Sequence, residues 1–308
     1  MPVVGKVLSR SARYDLLYFV AKAGLLLVRL LPRRVGIALF GAFGAIAFSY
    51  PNRDKKRTVH HLRLIYGSAW SERQIMKTAR GVYRELGKNI FDAFTLGRMT
   101  REELDRVVSC DPIDAFDEAY RQGKGVIAIT AHTGCFEMLL HYFPVKGYRS
   151  FAIGRKLRDE RLDEIIRGLR SGDDIKYMDR SEPARNIVRY LREGRLFGVL
   201  IDQDTAVEGV FAPFLGRLAY TPSGPVKLAM KTGVPLFVIT TARRENDMHH
   251  VYIRGPVDLD YDGDFEAALI RNVATINGYI GETINRHPEQ WVWMHKRWFR
   301  KPGTGAAA

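Results

Sequence analysis

Apolar and polar positions divide this chain into two parts. Near the N terminus lie two long apolar runs: residues 16–31, interrupted by Lys22 and Arg29, and residues 35–50, which hold no charge. Pro32-Arg33-Arg34 separates them and Pro51 closes the second, so two helices joined by a sharp break are expected. Each run is shorter than the roughly 20 residues of a spanning helix, although a single span remains open if a helix extends beyond its run. A signal peptide is disfavoured, because no small-residue cleavage site follows the first run. A buried pair and a shallow membrane-dipping hairpin with Lys22 and Arg29 snorkelling both fit, and the second is preferred.

Helical spacing follows over residues 54–66 and 71–96, with Ser71 as N-cap. Val82, Leu86, Ile90 and Phe94 make one apolar face, which puts Asn89 and Asp92 in solvated or capping roles. Beyond a short helix at 113–121 the period changes. Residues 126–129 form a continuous apolar run, as a strand buried on both faces does. It stops at the turn-like 130–134, and a helical pattern resumes with Phe136, Met138, Leu139 and Phe143.

Strands are expected at 148–153, 175–178, 196–201, 234–240 and 250–254, and helices at 161–170, 183–192 and 264–286. Residues 207–213 lead into another helix, capped by Thr221 with Pro222 at its first position and stopped by Gly233. Strands alternating with helices over 113–254 give an α/β fold with a largely parallel central sheet flanked by helices. The chain divides into an N-terminal helical membrane-associating region (1–52), an α/β domain (53–301, with a helical lead-in to 110) and a disordered tail (302–308).

Charge adds a direction. Of the net +14, residues 1–110 carry +12, from 20 Lys/Arg against 8 Asp/Glu. A basic third suits an acidic partner such as an anionic membrane or an acidic carrier protein. The interleaved aromatic and basic residues of a nucleic-acid module are not seen. Two cysteines, Cys110 and Cys135, show no metal or disulfide spacing.

The chemistry gathers at strand ends, where open α/β sheets place their sites. His132 follows the first buried strand and Glu137 begins the next helix. An imidazole can take a proton from a hydroxyl, and a nearby carboxylate can fix its tautomer. The same pair also fits a turn histidine beside a helix-start glutamate. Asp202-Gln203-Asp204 ends another buried strand. The two acids invite a metal reading that two carboxylates alone support weakly. Cys135, beside His132, invites a Cys–His nucleophile reading.

Four stretches together carry a resemblance: His132-Thr133-Gly134-Cys135-Phe136-Glu137, Asp202 through Arg217, Thr221-Pro-Ser-Gly-Pro225, and Trp291-Val-Trp-Met-His-Lys-Arg-Trp298. In order and spacing they resemble the lipid A biosynthesis acyltransferases, a branch of the His-x4-Asp/Glu glycerolipid acyltransferases. The resemblance implies transfer of a fatty acyl chain from an acyl carrier protein thioester to a hydroxyl of a lipid A precursor. It places the reaction on the cytoplasmic face of the bacterial inner membrane, with no metal and no other cofactor. A phosphatidylinositol mannoside or glycerophospholipid acceptor, and an acyl-CoA donor, stand as alternatives. By resemblance, His132 is the general base and Glu137 orients it and stabilises its charge. Thr133 and Gly134 backbone N–H groups or Arg170 would meet the oxyanion, and Asp202 or Asp204 would hold the acceptor or that arginine. Cys135 is set aside as nucleophile, since the family does not require a cysteine there. Oligomeric state, acyl length and acceptor position are not legible.

Overall fold

The computed structural model describes residues 10–170, 172 and 174–302; the expected tail lies outside these from residue 303 onward. Two N-terminal helices, α1 (Arg10–Leu30) and α2 (Arg33–Ala47), meet at Pro32 as expected. The lead-in supplies α3 (Arg53–Tyr66), α4 (Glu72–Thr95) and α5 (Arg101–Val107). A reciprocal pair caps α4: the Gln74 N–H donates to Ser71 Oγ (3.3 Å) and the Ser71 N–H to Gln74 Oε1 (2.7 Å).

The α/β part runs β1 (Val108–Cys110), α6 (Asp114–Arg121), β2 (Val126–Thr130), α7 (Leu139–Val145), β3 (Ser150–Gly154), α8 (Glu160–Arg170), β4 (Ile175–Asp179), α9 (Arg185–Arg192) and β5 (Leu196–Leu200). It continues with β6 (Gly209–Phe214), β7 (Arg217–Pro222), α10 (Gly224–Thr232), β8 (Leu236–Arg243), β9 (His249–Arg254) and α11 (Phe265–Arg286). Seven strands form one sheet in the order β1-β9-β8-β2-β5-β3-β4. All neighbours are parallel except β8 and β9. Strand β2 is central and buried throughout, which its unbroken apolar run requires.

One face of the sheet packs Ile127, Ile129, Phe197 and Val238 together with Ile276 and Ile280 of α11. The other packs Val126, Ala128, Leu196 and Ile239 with Phe116 of α6 and Phe143 of α7. β2 pairs with β5 along its whole length. β3 pairs with β5 only from Ser150 to Ala152, then continues beside β4 alone as far as Gly154. The carboxyl ends of β3 and β5 therefore part, opening a split in the sheet.

Three expectations change. Thr221 and Pro222 do not start a helix: they close β7, paired with Val210 and Gly209 in a two-stranded ribbon, and α10 begins at Gly224. A proline is tolerated at the end of such an edge. Helix α4 is buried on two sides, against α2 and against the 3-10 turn Pro288–Gln290, so its inner face includes Asp92 while Ile90 is exposed. The N-terminal helices are only partly a buried pair. Ile37 of α2 is buried with Val28 of α1 and Phe91 of α4, yet Leu16, Leu17, Phe19, Val20, Leu26 and Leu30 of α1 and Phe43 and Ile46 of α2 are exposed. Among the described residues, no helix is long and apolar enough to cross a membrane.

Candidate active site

Sheet register brings the central groups together. Thr130 is opposite Leu200 where β2 and β5 end, so the residues two beyond each, His132 and Asp202, lie side by side. The His132 N–H donates to Asp202 Oδ2 (2.8 Å), and His132 Nδ1 lies 2.7 Å from Asp202 Oδ1. A carboxylate only accepts, so Nδ1 carries a proton, and in the neutral ring Nε2 presents its lone pair. The Trp291 indole N–H donates to Asp202 Oδ2 (2.7 Å). Burial pushes the Asp202 carboxyl up, but the charge of His132 and the hydrogen bonds from His132 and Trp291 outweigh it and hold the group well below the usual carboxylate range. Gln203 Nε2 sits 2.9 Å from His132 Nε2. The His295 ring lies 5.0 Å from that of His132; burial, then the charge of His132, lowers its pKa to about 4, so it is neutral near pH 7.

The loop after His132 is fastened from three elements. Val292 N–H donates to His132 O (3.2 Å) and Gly134 N–H to Gln290 O (2.8 Å). Asn89 of α4 donates to Gly134 O (2.8 Å) and accepts from Arg243 of β8 (2.7 Å). Gly134 has φ +50°, and a Cβ there would stand 2.6 Å from Thr241 O, so the position admits only glycine without strain. Behind Asn89, fully buried Asp92 accepts from Arg33, Arg243 and His249. Burial would raise its pKa; His249, Arg243 and Arg33 bring it well below the usual range. Asp92 is thus fully buried and Asn89 half-buried, each engaged with the protein rather than with solvent.

Several expected roles shift. Glu137, expected to orient His132, is instead bonded to Arg170, whose Nε lies 2.9 Å from Glu137 Oε2 and whose second nitrogen also reaches that carboxylate. Arg170 also donates to Tyr177 Oη (3.0 Å). The carboxylate that meets the imidazole is Asp202. Asp204, expected near the acceptor, holds Arg300 of the C-terminal segment (3.1 Å). The Thr133 and Gly134 N–H groups, expected at the oxyanion, already donate to Ala131 O and Gln290 O (both 2.8 Å). Cys135 is buried and burial pushes its thiol up, so no thiolate forms. Trp291 and Trp293 are core residues in edge-to-face contact, 4.7 Å between centroids.

His132, Glu137, Arg170 and Gln203 line one cavity of about 750 Å³. Most of its wall is apolar, from Phe136, Leu140, Phe143, Ile153 and Ile187, and it reaches into the split between β3 and β5. An imidazole fixed by a buried acid, beside space for hydrocarbon, suits transfer chemistry on a lipid.

Residues 5–300 match the family profile described as bacterial lipid A biosynthesis acyltransferase. The chain belongs to that family. Similar proteins include the phosphatidylinositol mannoside acyltransferase of Mycolicibacterium smegmatis, 25% identical over 70% of this chain and 72% of that protein. The phosphatidylinositol mannoside acyltransferase of Mycobacterium tuberculosis is 23% identical over 70% and 67%. The lipid A biosynthesis palmitoleoyltransferase of Escherichia coli is 23% identical over 88% of this chain and 87% of its own. The protein is therefore a lipid acyltransferase, with an acyl donor and a lipid acceptor as its substrates. In this acyltransferase the four stretches that marked the sequence converge: the His132 loop, the strand end at Asp202, the β7 segment and the tryptophan segment share a hydrogen-bonded assembly.

Proposed function

We propose that this acyltransferase moves a fatty acyl chain from an acyl carrier protein thioester to a hydroxyl of a lipid A precursor at the cytoplasmic face of the bacterial inner membrane. The observation that carries the reading is the His132–Asp202 pair on the wall of a largely apolar cavity. The acceptor hydroxyl gives its proton to His132 Nε2 as its oxygen attacks the thioester carbonyl carbon. Asp202 holds the Nδ1 proton and stabilises the imidazolium. The tetrahedral oxyanion then collapses, the C–S bond breaks, and the imidazolium proton passes to the departing sulfur. Gln203, displaced from Nε2 by the acceptor, and Arg170 both line the cavity and are the donors assigned here to the forming oxyanion. The Glu137–Arg170 pair sets the charge of the cavity wall and fits the polar part of a substrate. The thioester is already activated, so no covalent enzyme intermediate is required.

The basic N-terminal third fits both an acidic carrier protein and an anionic bilayer. The exposed apolar side chains of α1 and α2 fit insertion at the membrane surface. The similarity to the mycobacterial enzymes favours one alternative acceptor, a phosphatidylinositol mannoside. Purified protein given an acyl carrier protein thioester and each acceptor in turn separates them: acylation of the lipid A precursor at the higher kcat/KM supports the first acceptor, and the reverse order replaces it with the second. In either assay His132→Ala is expected to lower transfer by about 100-fold or more with folding retained, the usual scale for a lost general base.

A further inference from the structure

On the α7 side of the sheet, small residues line up across three strands. Ala128 of β2 is level with Gly198 of β5, and Gly198 with Ala152 of β3. All three line the cavity. Glycine in a strand interior weakens it, so a reason for Gly198 is wanted. Backbone packing does not supply one: a Cβ at 198 would meet nothing nearer than Phe151 O, at an ordinary 3.9 Å. What a side chain there would fill is the cavity.

A second, independent feature stands one step deeper. Ser150 is level with Leu196, two residues before Gly198, and lines the same cavity. It is only 4% exposed, and its hydroxyl has no hydrogen-bond partner in the protein. Leu196 and Phe143 flank that end of the cavity. Rotation of the side chain can turn this hydroxyl to water at the cavity end, and a hydrocarbon tail packed there would remove that partner, an uphill step. A tail that stops short of it would not.

We propose, on the acyl-transfer reading above, that Ala128, Gly198 and Ala152 form the bed of the acyl chain and that Ser150 is its polar stop, so that Gly198 and Ser150 together set the chain length accepted. Thr130, next to the His132 loop, lies four residues along β2 from the level of Ser150. At about 3.3 Å per residue that is about 13 Å. An extended chain advances about 1.25 Å per carbon for bonds of about 1.5 Å, so the bed holds roughly 10–12 carbons.

The test is competition. Full-length protein receives an equimolar mixture of saturated acyl carrier protein thioesters from C8 to C18, with a lipid A precursor and, in parallel, a phosphatidylinositol mannoside as acceptor. Mass spectrometry of the acylated lipid gives the ratio of chain lengths, which does not depend on overall rate. Gly198→Leu is expected to shift that ratio toward shorter chains by about tenfold, the scale of a methylene misfit in an apolar pocket. Ser150→Ala is expected to shift it toward longer chains. Gly198→Ala, for which space exists, should shift it in the same direction as the leucine variant and serves if that variant does not fold. An unchanged ratio in either the Gly198 or the Ser150 variant, with melting temperature near wild type, overturns the proposal while leaving acyl transfer standing. Absence of any transfer by the wild type with both acceptors overturns the acyl-transfer reading and this proposal with it.

Discussion

At the scale of single residues, the two carboxylates near His132 take different tasks. Asp202 is buried and bonded to Nδ1, while Glu137 neutralises Arg170. Asp202→Asn keeps the shape but can donate to Nδ1 and favour the wrong tautomer, so kcat is expected to fall by about 100- to 10,000-fold. Glu137→Gln leaves the His132–Asp202 pair in place, and its kcat should fall less; steady-state kinetics of the two variants side by side decide the matter, and a larger loss for Glu137→Gln would reverse the assignment. Cys135→Ala is expected to transfer at close to the wild-type rate, because a buried, raised thiol offers no nucleophile. His132 and the acids at 202 and 204 were legible in the sequence as polar residues closing buried strands. Which acid meets the imidazole was not. That depends on β2 and β5 being neighbours in register, and no periodicity within one strand reports its neighbour.

Among elements, α4 carries more than its pattern suggested. A polar residue between apolar ones on a helix reads as solvated when one face is assumed to be buried. α4 is packed on two sides, and Asn89 and Asp92 fall between them. Asn89 holds the carbonyl of Gly134 and Arg243 at once, so Asn89→Ala should loosen the His132 loop. A drop in kcat of about tenfold with KM little changed is expected for a residue that positions the base. Asp92→Ala leaves buried Arg243 and half-buried Arg33 without their shared acid and should cost about 3–5 kcal/mol, read from urea unfolding. The alternating strands and helices from 113 to 254 were legible because their periods differ. The β6–β7 ribbon was not, since Thr221-Pro222 is as good a helix start as a strand end until its partner strand is known.

For the molecule as a whole, charge and exposed apolar surface both fit the proposed lipid interface. Deleting residues 1–52 removes the exposed side chains of α1 and α2, and sedimentation with anionic liposomes should then be lost; persistent binding would place the contact elsewhere. Stability should also respond to acid. His61 and His295 are lowered to about 4, chiefly by burial, against about 6.5 in an unfolded chain. Above pH 6.5 both states hold them neutral and their contribution is intact. As pH falls from about 6.5 toward 4 the unfolded chain takes up the protons first, so stability declines. The urea midpoint is expected to fall between pH 7 and pH 5, and less steeply in His61→Asn.

The base in a lipid-sized cavity is tested most directly by product mass. Wild-type protein, an acyl carrier protein thioester and a lipid A precursor or phosphatidylinositol mannoside should yield a lipid heavier by one acyl group. The His132→Ala protein, folded as judged by circular dichroism, should yield about 100-fold less or none. Equal amounts of acylated lipid from both would contradict the account.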